Sequence, residues 1–526
     1  MNKNLVIIVI IVFAVIVGLP VYINDKASRL GSKAGNFSTA AQGSPVSSPK
    51  IISLKNGDVY DLSAGIVRKK IAGQEVKMLS YNGSIPGPII RVQQGAEITI
   101  NFKNETDVET TIHSHGVRVE NKFDGVPDIT QEVIKPGRSF VYKLKFPDAG
   151  IYWYHPHVRE DYAQELGLYG NFIVTPRERD YWAEVDREEF LFLDDILITN
   201  GQIAPFSKST VDHALMGRFG NVMLVNARDD FKLSIKQGER VRFYITNAAN
   251  TRVFNFSIPS AQMRLTGGDN GKYEREEWVD SIILGPSERA IVEIWFENSG
   301  EYQILNKTPQ KTYTMGSISV EPRPVTVSYL LIPRINQDFI NSLSPLRPLF
   351  SKAPDKTLNL TIDMMGNMMG SGSGSHMMPD GAIMGGNMMG DSEDDKIDWE
   401  NTMGMMNAMA TNKTLKWKLV DDATKKENMD IEWKFKKGDK VKIKLFNDPD
   451  SGHPMQHPIH IHGQRFLVTA TNGAPTSNLA WKDTVLVQNG DKIELLVDME
   501  NPGTWLIHCH IPEHMEAGMM SLFKVI

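Results

Sequence analysis

The sequence contains very little cysteine, since Cys509 is the only one in 526 residues. A single thiol excludes an intramolecular disulfide, so this cysteine is either a buried inert side chain or a reactive or metal-binding group. The chain also lacks a basic surplus, with 57 Lys and Arg against 63 Asp and Glu. Nucleic acid is therefore not an expected partner, and net charge alone would not draw the protein to anionic lipid.

Charge is also missing from one long run at the amino terminus. Residues 5–23 are uncharged over 19 positions, close to the length that crosses a bilayer as a helix. Residues 1–24 are predicted to be a signal anchor or a signal peptide, and the lack of a nearby small-residue cleavage site favours the anchor. Residues 25–50, rich in Ser, Gly, Ala and Pro, are predicted to be a flexible stalk. The rest of the chain is then extracytoplasmic, at the cell surface or in the periplasm, and held at the membrane.

Beyond the stalk, short runs alternate apolar and polar residues and are bounded by Gly, Pro and Asn. The stretch FKLSIKQGERVRFYITN at 231–247 is typical, and this pattern predicts half-buried strands. A motif that begins QGAEITI at residue 94 returns as QGERVRF at 237 and KGDKVKI at 437. Three copies predict an all-β chain of three related domains, which we place at 51–178, 186–335 and 355–526.

Histidine is concentrated in pairs. Eight of the 13 histidines form four His-x-His pairs, which are His113 and His115, His155 and His157, His460 and His462, and His508 and His510. Side chains two apart on a strand point to the same face, so each pair offers two imidazoles in one direction. One such pair is weak evidence, because histidines on strands are common. Four pairs predict a metal site, and imidazole suits copper, zinc, iron and nickel.

The lone cysteine lies inside the last pair, in the stretch HCHIPEHMEAGMM that begins at residue 508. Strand alternation sends the two imidazoles to one face and the thiolate to the other, so one strand would link two metal sites. Further candidate ligands on the thiolate side are His457, His514 and Met519. Two His, one Cys and a weak axial Met are the ligands of a blue-copper electron-transfer site.

These motifs resemble the four copper-binding motifs of the multicopper oxidases, the family of laccases, cuprous oxidases and ferroxidases. The matching segments are HSHG at 113–116, WYHPH at 153–157, HPIHIHG at 457–463 and HCHIPEHMEAGM at 508–519. YNGSIPGPIIRVQQG at 81–95 and WKDTV at 481–485 resemble two further family segments, so the resemblance covers essentially the whole chain after the stalk. It implies three cupredoxin-like Greek-key β-barrels, with a three-copper cluster between the first and the third.

The resemblance also implies the ligands of about four copper ions. His113 and His460 would bind the type 2 copper. The type 3 pair would be held by His115, His155, His157, His462, His508 and His510. His457, Cys509, His514 and Met519 would bind the type 1 copper. The implied reaction is the reduction of O2 to water with four electrons, taken one at a time at the type 1 site.

Two acids are candidates for proton supply. Asp124 lies nine residues after His115, where the family commonly has an acid near the coppers. Some bacterial relatives carry Glu directly after the type 1 histidine, whereas this chain has Met515 followed by Glu516. The alternative for both acids is a surface carboxylate or a helix cap.

Substrate choice depends on a methionine-rich insert. Residues 364–409 hold 13 of the 25 methionines among many glycines, without strand or helix periodicity. Thioethers are soft ligands that favour Cu(I), and the insert resembles that of the copper-tolerance cuprous oxidases. The alternative is a flexible loop whose methionines merely pack. Candidate ligands for substrate copper are Met455, His453, Met364, Met365, Met368 and Met369. His453 stands where those oxidases carry Asp; His213 stays unassigned, and His376 could add a ligand within the insert.

Two classes of function follow. The first is an enzyme that couples oxidation of Cu(I) to reduction of O2 in copper tolerance, with a laccase acting on phenols or a Mn(II) or Fe(II) oxidase as variants. The second is a copper-sequestering protein. A complete set of type 1, 2 and 3 ligands favours the enzyme, since a store needs no cysteine joined to eight imidazoles.

Overall fold

Strands dominate this computed structural model, which describes residues 35–323, 332–364 and 396–526 and the backbone of two short strands at 376–377 and 383–384. The predicted all-β class is confirmed. The apolar run at 1–24 lies outside the described residues, as do Met365, Met368, Met369 and the side chain of His376. Within the described ranges, no helix has the length and apolar character needed to span a membrane.

The first two sheets are built from residues between 44 and 175. One contains Ser44–Pro45, Val59–Ile71, Gln74–Tyr81, Glu97–Glu105 and Ser139–Lys145. The other runs in the order Ile51–Leu54, Ile89–Gln93, Gly170–Thr175, Gly150–His155 and His113–His115. The strand that carries the first histidine pair is thus at a sheet edge.

Two more sheets lie between residues 187 and 321. The order in one is Val222–Val225, Arg187–Ile196, Arg240–Asn247, Arg289–Trp295, Gln262–Gly268 and Gly271–Val279. The order in the other is Phe231–Lys236, Thr312–Glu321, Gly300–Lys307, Phe254–Ser257 and Ile282–Leu284. A short hairpin of Ile198–Thr199 and Gln202–Ile203 lies beside them.

The carboxyl-terminal sheets repeat this plan. One has the order Leu415–Asp421, Lys356–Met364, Lys440–Asn447, Lys492–Asp498, Arg465–Thr471 and Ala474–Pro475. The other has the order Trp433–Phe435, Met520–Val525, Gly503–Cys509, His457–Ile461 and Thr484–Val487. A separate pair, His376–Met377 and Ile383–Met384, lies in the insert.

Helices are short and connect or cap the sheets. Among the described residues, the α-helices are Glu160–Ala163, Gln337–Leu343, Gly404–Met409 and Pro512–Glu516. The 3₁₀ turns in the same ranges are Asn121–Phe123, Arg347–Leu349 and Asn428–Asp430.

The repeated motif marks the same turn in all three sheet pairs. Its glycine has a positive φ each time, at 83° for Gly95, 75° for Gly238 and 93° for Gly438, a conformation that favours glycine. Each glycine N–H donates to the residue just past a later strand, namely Phe146, Phe296 and Met499. The internal repeat read from the sequence is therefore a structural repeat.

The predicted flexible stalk is wrong for its described end. Ser44–Pro45 pairs in parallel with Val67 and Arg68, and Phe37 stacks on Tyr162 at 4.2 Å between ring centroids. Burial of an aromatic ring and a strand pairing fix this segment to the first sheet pair. Small residues are found both in linkers and at strand edges, so composition alone does not distinguish the two.

The insert is also more ordered than its composition indicated. Met364 ends a strand, and Gly404–Met409 is a helix held by Asn407, whose amide contacts the backbone of Met216 and Gly217. Trp399 is buried in a small apolar cluster with Val253 and Leu486. The expectation of no regular structure is wrong for residues 396–410, because tertiary contacts stabilise a helix too short for periodicity to reveal.

Candidate metal centre

The first histidine pairs are brought together by strand pairing. His113–His115 pairs antiparallel with Gly150–His155, and His113 lies directly opposite His155. His157 follows two residues after that strand ends. One sheet edge therefore gathers all four histidines of the first two motifs.

The last two pairs meet in the same way. His457–Ile461 pairs antiparallel with Gly503–Cys509, which places His460 opposite His508 and Ile459 opposite Cys509. The alternation of side chains then separates Cys509 from its two flanking rings. His508 and His510 reach other histidine rings, whereas Cys509 faces His457 and His514.

Rings from the first and last sheet pairs interleave in one buried cluster. Nε2 atoms face one another at 3.4 Å between His113 and His460, and at 3.0 Å between His462 and His508. In all four rings Nδ1 donates to a main-chain or carboxylate oxygen, so the facing Nε2 atoms both carry lone pairs. Two lone pairs at this distance cannot hydrogen-bond, and a metal ion between them satisfies both.

Burial favours the neutral form of most of these rings. Side chains of the eight clustered histidines are between 0% and 7% exposed. Desolvation, followed by repulsion from neighbouring rings, lowers the pKa of His155, His460 and His462 well below the usual value. A neutral imidazole is the form that binds a metal ion.

His115 is turned the other way from most of its neighbours. Its Nε2 contacts Oδ1 of Asp483 at 3.0 Å and Oγ1 of Thr484 at 2.9 Å. Its Nδ1 has no hydrogen-bond partner within the described parts of the chain. Nδ1 is therefore the atom that this ring offers to the cluster.

The thiol occupies a second buried pocket. Sγ of Cys509 lies 3.6 Å from Nδ1 of His457 and 3.8 Å from Nδ1 of His514, and these two Nδ1 atoms are 3.3 Å apart. Burial raises the pKa of the thiol and lowers the pKa of His457 to about 3. Met519 is buried in the same core, and its main-chain oxygen accepts from the N–H of Cys509. A thiol with a raised pKa ionises here only when a cation replaces its proton.

Asp124 is in direct contact with the cluster. Its Oδ2 accepts from Nδ1 of His462 at 2.8 Å, and its main-chain oxygen accepts from Nδ1 of His113 at 2.8 Å. Its side chain is 1% exposed. One acid thus holds two rings that belong to different sheets.

Glu516 has different neighbours. It is the last residue of the short helix Pro512–Glu516, and burial together with Asp161 raises its pKa to about 7, whereas Arg159 acts in the opposite direction. Its charged neighbours are thus Asp161, Arg159 and Glu160, the last of which contacts His157.

Sequence reasoning missed three acids. Glu160 lies with Oε1 3.1 Å from Nδ1 of His157, Asp483 holds His115, and Glu513 is buried with a pKa raised to about 8 by burial and Asp161. Glu160 follows His157 by three residues, and Asp483 lies inside WKDTV, so proximity to the motifs was an available signal.

The substrate-copper candidates fall into two groups. Met455 is fully buried in the core that contains Cys509, and Met364 is partly buried against that core. Burial lowers the pKa of His453 to about 4, and its Nε2 has no partner among the residues described. His213 pairs with Asp212 at 2.7 Å.

Several groups of these residues have ligand atoms close enough to share a metal ion. Three such groups, each within 4.8 Å, are His113 with His460 and His462; His157 with His462 and His508; and His457 with Cys509 and His514. Neutral imidazoles and one thiol suit copper, and the unpaired ring nitrogens need a cation, so the residues fit this metal.

Comparison with known proteins agrees with this chemistry. Family models described as multicopper oxidase match residues 66–179, 178–329 and 396–526. The chain is 26% identical to multicopper oxidase mco of Staphylococcus aureus, over 85% of this chain and 83% of that protein. It is 25% identical to copper resistance protein A of Escherichia coli, over 95% of this chain and 97% of that protein.

A solved structure shows the same fold. A laccase-like multicopper oxidase from Ochrobactrum sp., described as active towards lignin model compounds, superposes with a TM-score of 0.68 at 22% identity, over 92% of this chain and all of that chain. The sheet pairs are thus cupredoxin-like domains. The chain belongs to the multicopper oxidase family, and it is an oxidoreductase that uses oxygen and holds copper, about four ions per chain.

Proposed function

We propose that this enzyme oxidises Cu(I) outside the cytoplasm and passes the electrons to O2. The observation that carries the choice of substrate is the set of methionines that pack in or on the core containing Cys509. Met455 is buried two residues before His457, and Met403 and Met406 pack on the same core. Met405 and Met409 of the same helix are 78% and 65% exposed. Thioethers of this one helix therefore lie both on the core that contains Cys509 and in solvent, and they are ligands suited to Cu(I).

Each copper has a proposed ligand set. His457, Cys509, His514 and Met519 would hold type 1 copper, and His113 and His460 would hold type 2 copper. One type 3 copper would be held by His115, His155 and His510, and the other by His157, His462 and His508. Bound copper supplies the one-electron oxidation of substrate and the reduction of O2 to water.

The protein contributes the link between the two sites. Cys509 faces the type 1 pocket while His508 and His510 face the ring cluster, so a single strand of main chain joins the electron entry point to the oxygen site. Trp417 stacks on His514 with centroids 4.3 Å apart and shields that ligand from water.

Protons for water formation are proposed to come from acids at the cluster. Asp124 contacts His462, and Glu160 contacts His157, so two carboxyl groups reach the cluster through two rings whose centroids are 5.2 Å apart. Glu513 and Glu516 lie on the helix Pro512–Glu516 and extend this acidic region, since both act on the pKa of Glu160 and raise it. Glu160 thus joins Asp124 and Glu516 as a candidate for proton supply.

His453 completes the proposed copper entry. It is neutral because burial lowers its pKa to about 4, and its free Nε2 can act as a ligand where related cuprous oxidases carry Asp. Its neighbour Gly452 lies beside Met364, since a Cβ at Gly452 would be 3.4 Å from Cε of that methionine, and Met364 is proposed as a thioether ligand next to His453.

The substrate proposal is tested by a substitution that removes one thioether sulfur and keeps an apolar side chain of similar size. Met455→Leu keeps the apolar volume and should raise the KM for Cu(I) by about tenfold, the equivalent of about 1.4 kcal/mol. Oxidation of a phenol should be unchanged. Met315→Leu is the matched control, because Met315 is 2% exposed in the second domain and has no place in copper entry.

A deletion tests the insert itself. Residues 365–395 are the segment to replace with a short Gly-Ser linker, because residues 396–410 are anchored by Trp399 and Asn407. Cu(I) oxidation at low substrate concentration should fall, whereas phenol oxidation should rise or stay constant. Parallel losses would mean a structural role, and unchanged Cu(I) kinetics would exclude residues 365–395 from copper entry.

A laccase acting on phenols is the second candidate, favoured by the Ochrobactrum relative's described activity towards lignin model compounds. A Mn(II) or Fe(II) oxidase is a further variant. Oxygen uptake measured side by side with Cu(I), a phenol, Mn(II) and Fe(II) ranks them. Copper sequestration without turnover predicts no oxygen uptake with any donor.

An extracytoplasmic, membrane-anchored location is part of the proposal, and the uncharged run at 5–23 supports it. Cell fractionation and amino-terminal sequencing of the mature protein test it. Recovery of a shortened chain in the soluble exported fraction would indicate a cleaved signal peptide.

A further inference from the structure

A buried arginine of the second domain reaches the ring cluster, although that domain supplies none of the clustered histidines. Arg289 begins the strand Arg289–Trp295 and is 1% exposed. Its Nη1 and Nη2 donate to Oδ1 and Oδ2 of Asp483 at 2.7 and 2.5 Å. Its remaining donors reach the main-chain oxygens of Ile151 and Ser287. Each of the three domains is therefore in contact with this one guanidinium.

Asp483 in turn touches two rings of the cluster. Its Oδ1 accepts from Nε2–H of His115, and its main-chain oxygen accepts from Nδ1–H of His460. Both oxygens of this carboxylate accept from the guanidinium, so Asp483 acts here as a hydrogen-bond acceptor. The hydrogen between Asp483 and His115 must therefore lie on Nε2, which leaves the lone pair of His115 on Nδ1.

The space for this arrangement is provided by Gly116. A Cβ there would lie 2.1 Å from Oδ2 of Asp483 and 3.1 Å from Nη2 of Arg289. The residue after His115 thus has no side chain because the Asp483–Arg289 pair occupies that position. The position of His115 in the cluster and the Asp483–Arg289 ion pair therefore both depend on a glycine at 116.

We propose that Arg289 is a positioning residue for the oxygen site: it holds Asp483 so that His115 donates from Nε2 and turns Nδ1 to the cluster. This rests on the proposed function only in treating His115 as a copper ligand. The orientation itself is a property of the metal-free chain. The second domain thereby acts on a site to which it gives no proposed ligand.

The test uses metal-free protein labelled with ¹⁵N-histidine. The wild type should show a slowly exchanging Nε2–H for His115, identified by its absence in His115→Gln. Arg289→Met should lose that signal, because Asp483 is released. After copper loading, the variant should hold at least one ion fewer per chain, while the blue absorption of the Cys509 site stays unchanged.

Arg264→Met is the matched control. Arg264 is also 1% exposed in the second domain, and its Nη2 pairs with Glu293 at 2.8 Å. It should lose stability to a similar extent and keep both the His115 signal and full copper content. Should Arg289→Met not fold, Arg289→Lys keeps the charge but holds Asp483 with a single group, and intermediate copper content is expected.

The outcomes separate the two proposals. A wild-type His115 without a protected Nε2–H, or an Arg289 variant that keeps it, overturns the positioning role. Equal copper loss in the Arg264 variant also overturns it, because the effect is then one of general stability. Loss of the Nε2–H signal with full copper retained supports the positioning role and argues against His115 as a ligand.

Discussion

The glycine of the HSHG motif provides a quantitative test of the cluster's construction. Gly116 has φ +79°, and a Cβ at this position would lie 2.1 Å from Oδ2 and 2.9 Å from Cγ of Asp483. Separation below 3.0 Å requires one side to move. Asp483 is held by Arg289, so it cannot move without breaking a fully buried ion pair.

Two costs therefore add in Gly116→Ala. A left-handed backbone costs an alanine about 1 kcal/mol relative to glycine. Disrupting a buried ion pair costs about 3–5 kcal/mol. We expect a total loss of about 4–6 kcal/mol in the free energy of unfolding, together with loss of copper from the cluster.

Gly137→Ala is the control, since its φ of +77° is nearly the same and nothing lies within 4 Å of its Cβ. It should lose only about 1 kcal/mol and keep its copper. Urea unfolding of the metal-free proteins and metal analysis of the loaded ones provide the two readouts. Equal destabilisation by the two substitutions would refute the reasoning, because only the contact with Asp483 distinguishes them.

Three further results are expected. Cys509→Ser should fold but lack the blue absorption and oxidise no donor, and a blue variant would contradict the type 1 assignment. Asp124→Asn should slow turnover across the pH range while substrate still reduces the blue site at the normal rate, and unchanged turnover would exclude Asp124 from proton supply. Glu513 has a folded pKa of about 8 against 4.5 unfolded, so the folded state binds more protons between these values and stability falls as pH rises. The free energy of unfolding of the metal-free protein, measured in urea at pH 5 and at pH 9, should therefore fall by up to about 5 kcal/mol less in Glu513→Gln than in the wild type. An unaltered pH dependence in the variant would contradict the raised pKa of Glu513.

Much of the fold could be predicted because strand signals are local. Alternation of apolar and polar residues and the three Gly turns at 95, 238 and 438 depend on neighbours within a few positions. The same locality explains the errors. Phe37 and the helix Gly404–Met409 are ordered by contacts with distant residues, which composition does not record.

For the site, the order of residues along each strand is enough to predict which ligands are available and which face of the strand each one occupies. Strand periodicity separates Cys509 from His508 and His510 without reference to any other part of the chain. The motif spacing likewise predicts that His113 and His115 share a face. Both predictions follow because alternate side chains of a single strand lie on the same face.

The nitrogen that each ring presents, and the distant groups that hold the ring, depend on how the domains pack. His115 and Asp483 are separated by 368 positions, and Arg289 reaches the same carboxylate from another domain. Such contacts arise when separate sheets pack together. A buried charge needs a partner of opposite charge, and that partner can come from any part of the chain that reaches it. A local pattern carries no information about that choice, so the acid and the arginine behind the cluster appear only in the folded chain.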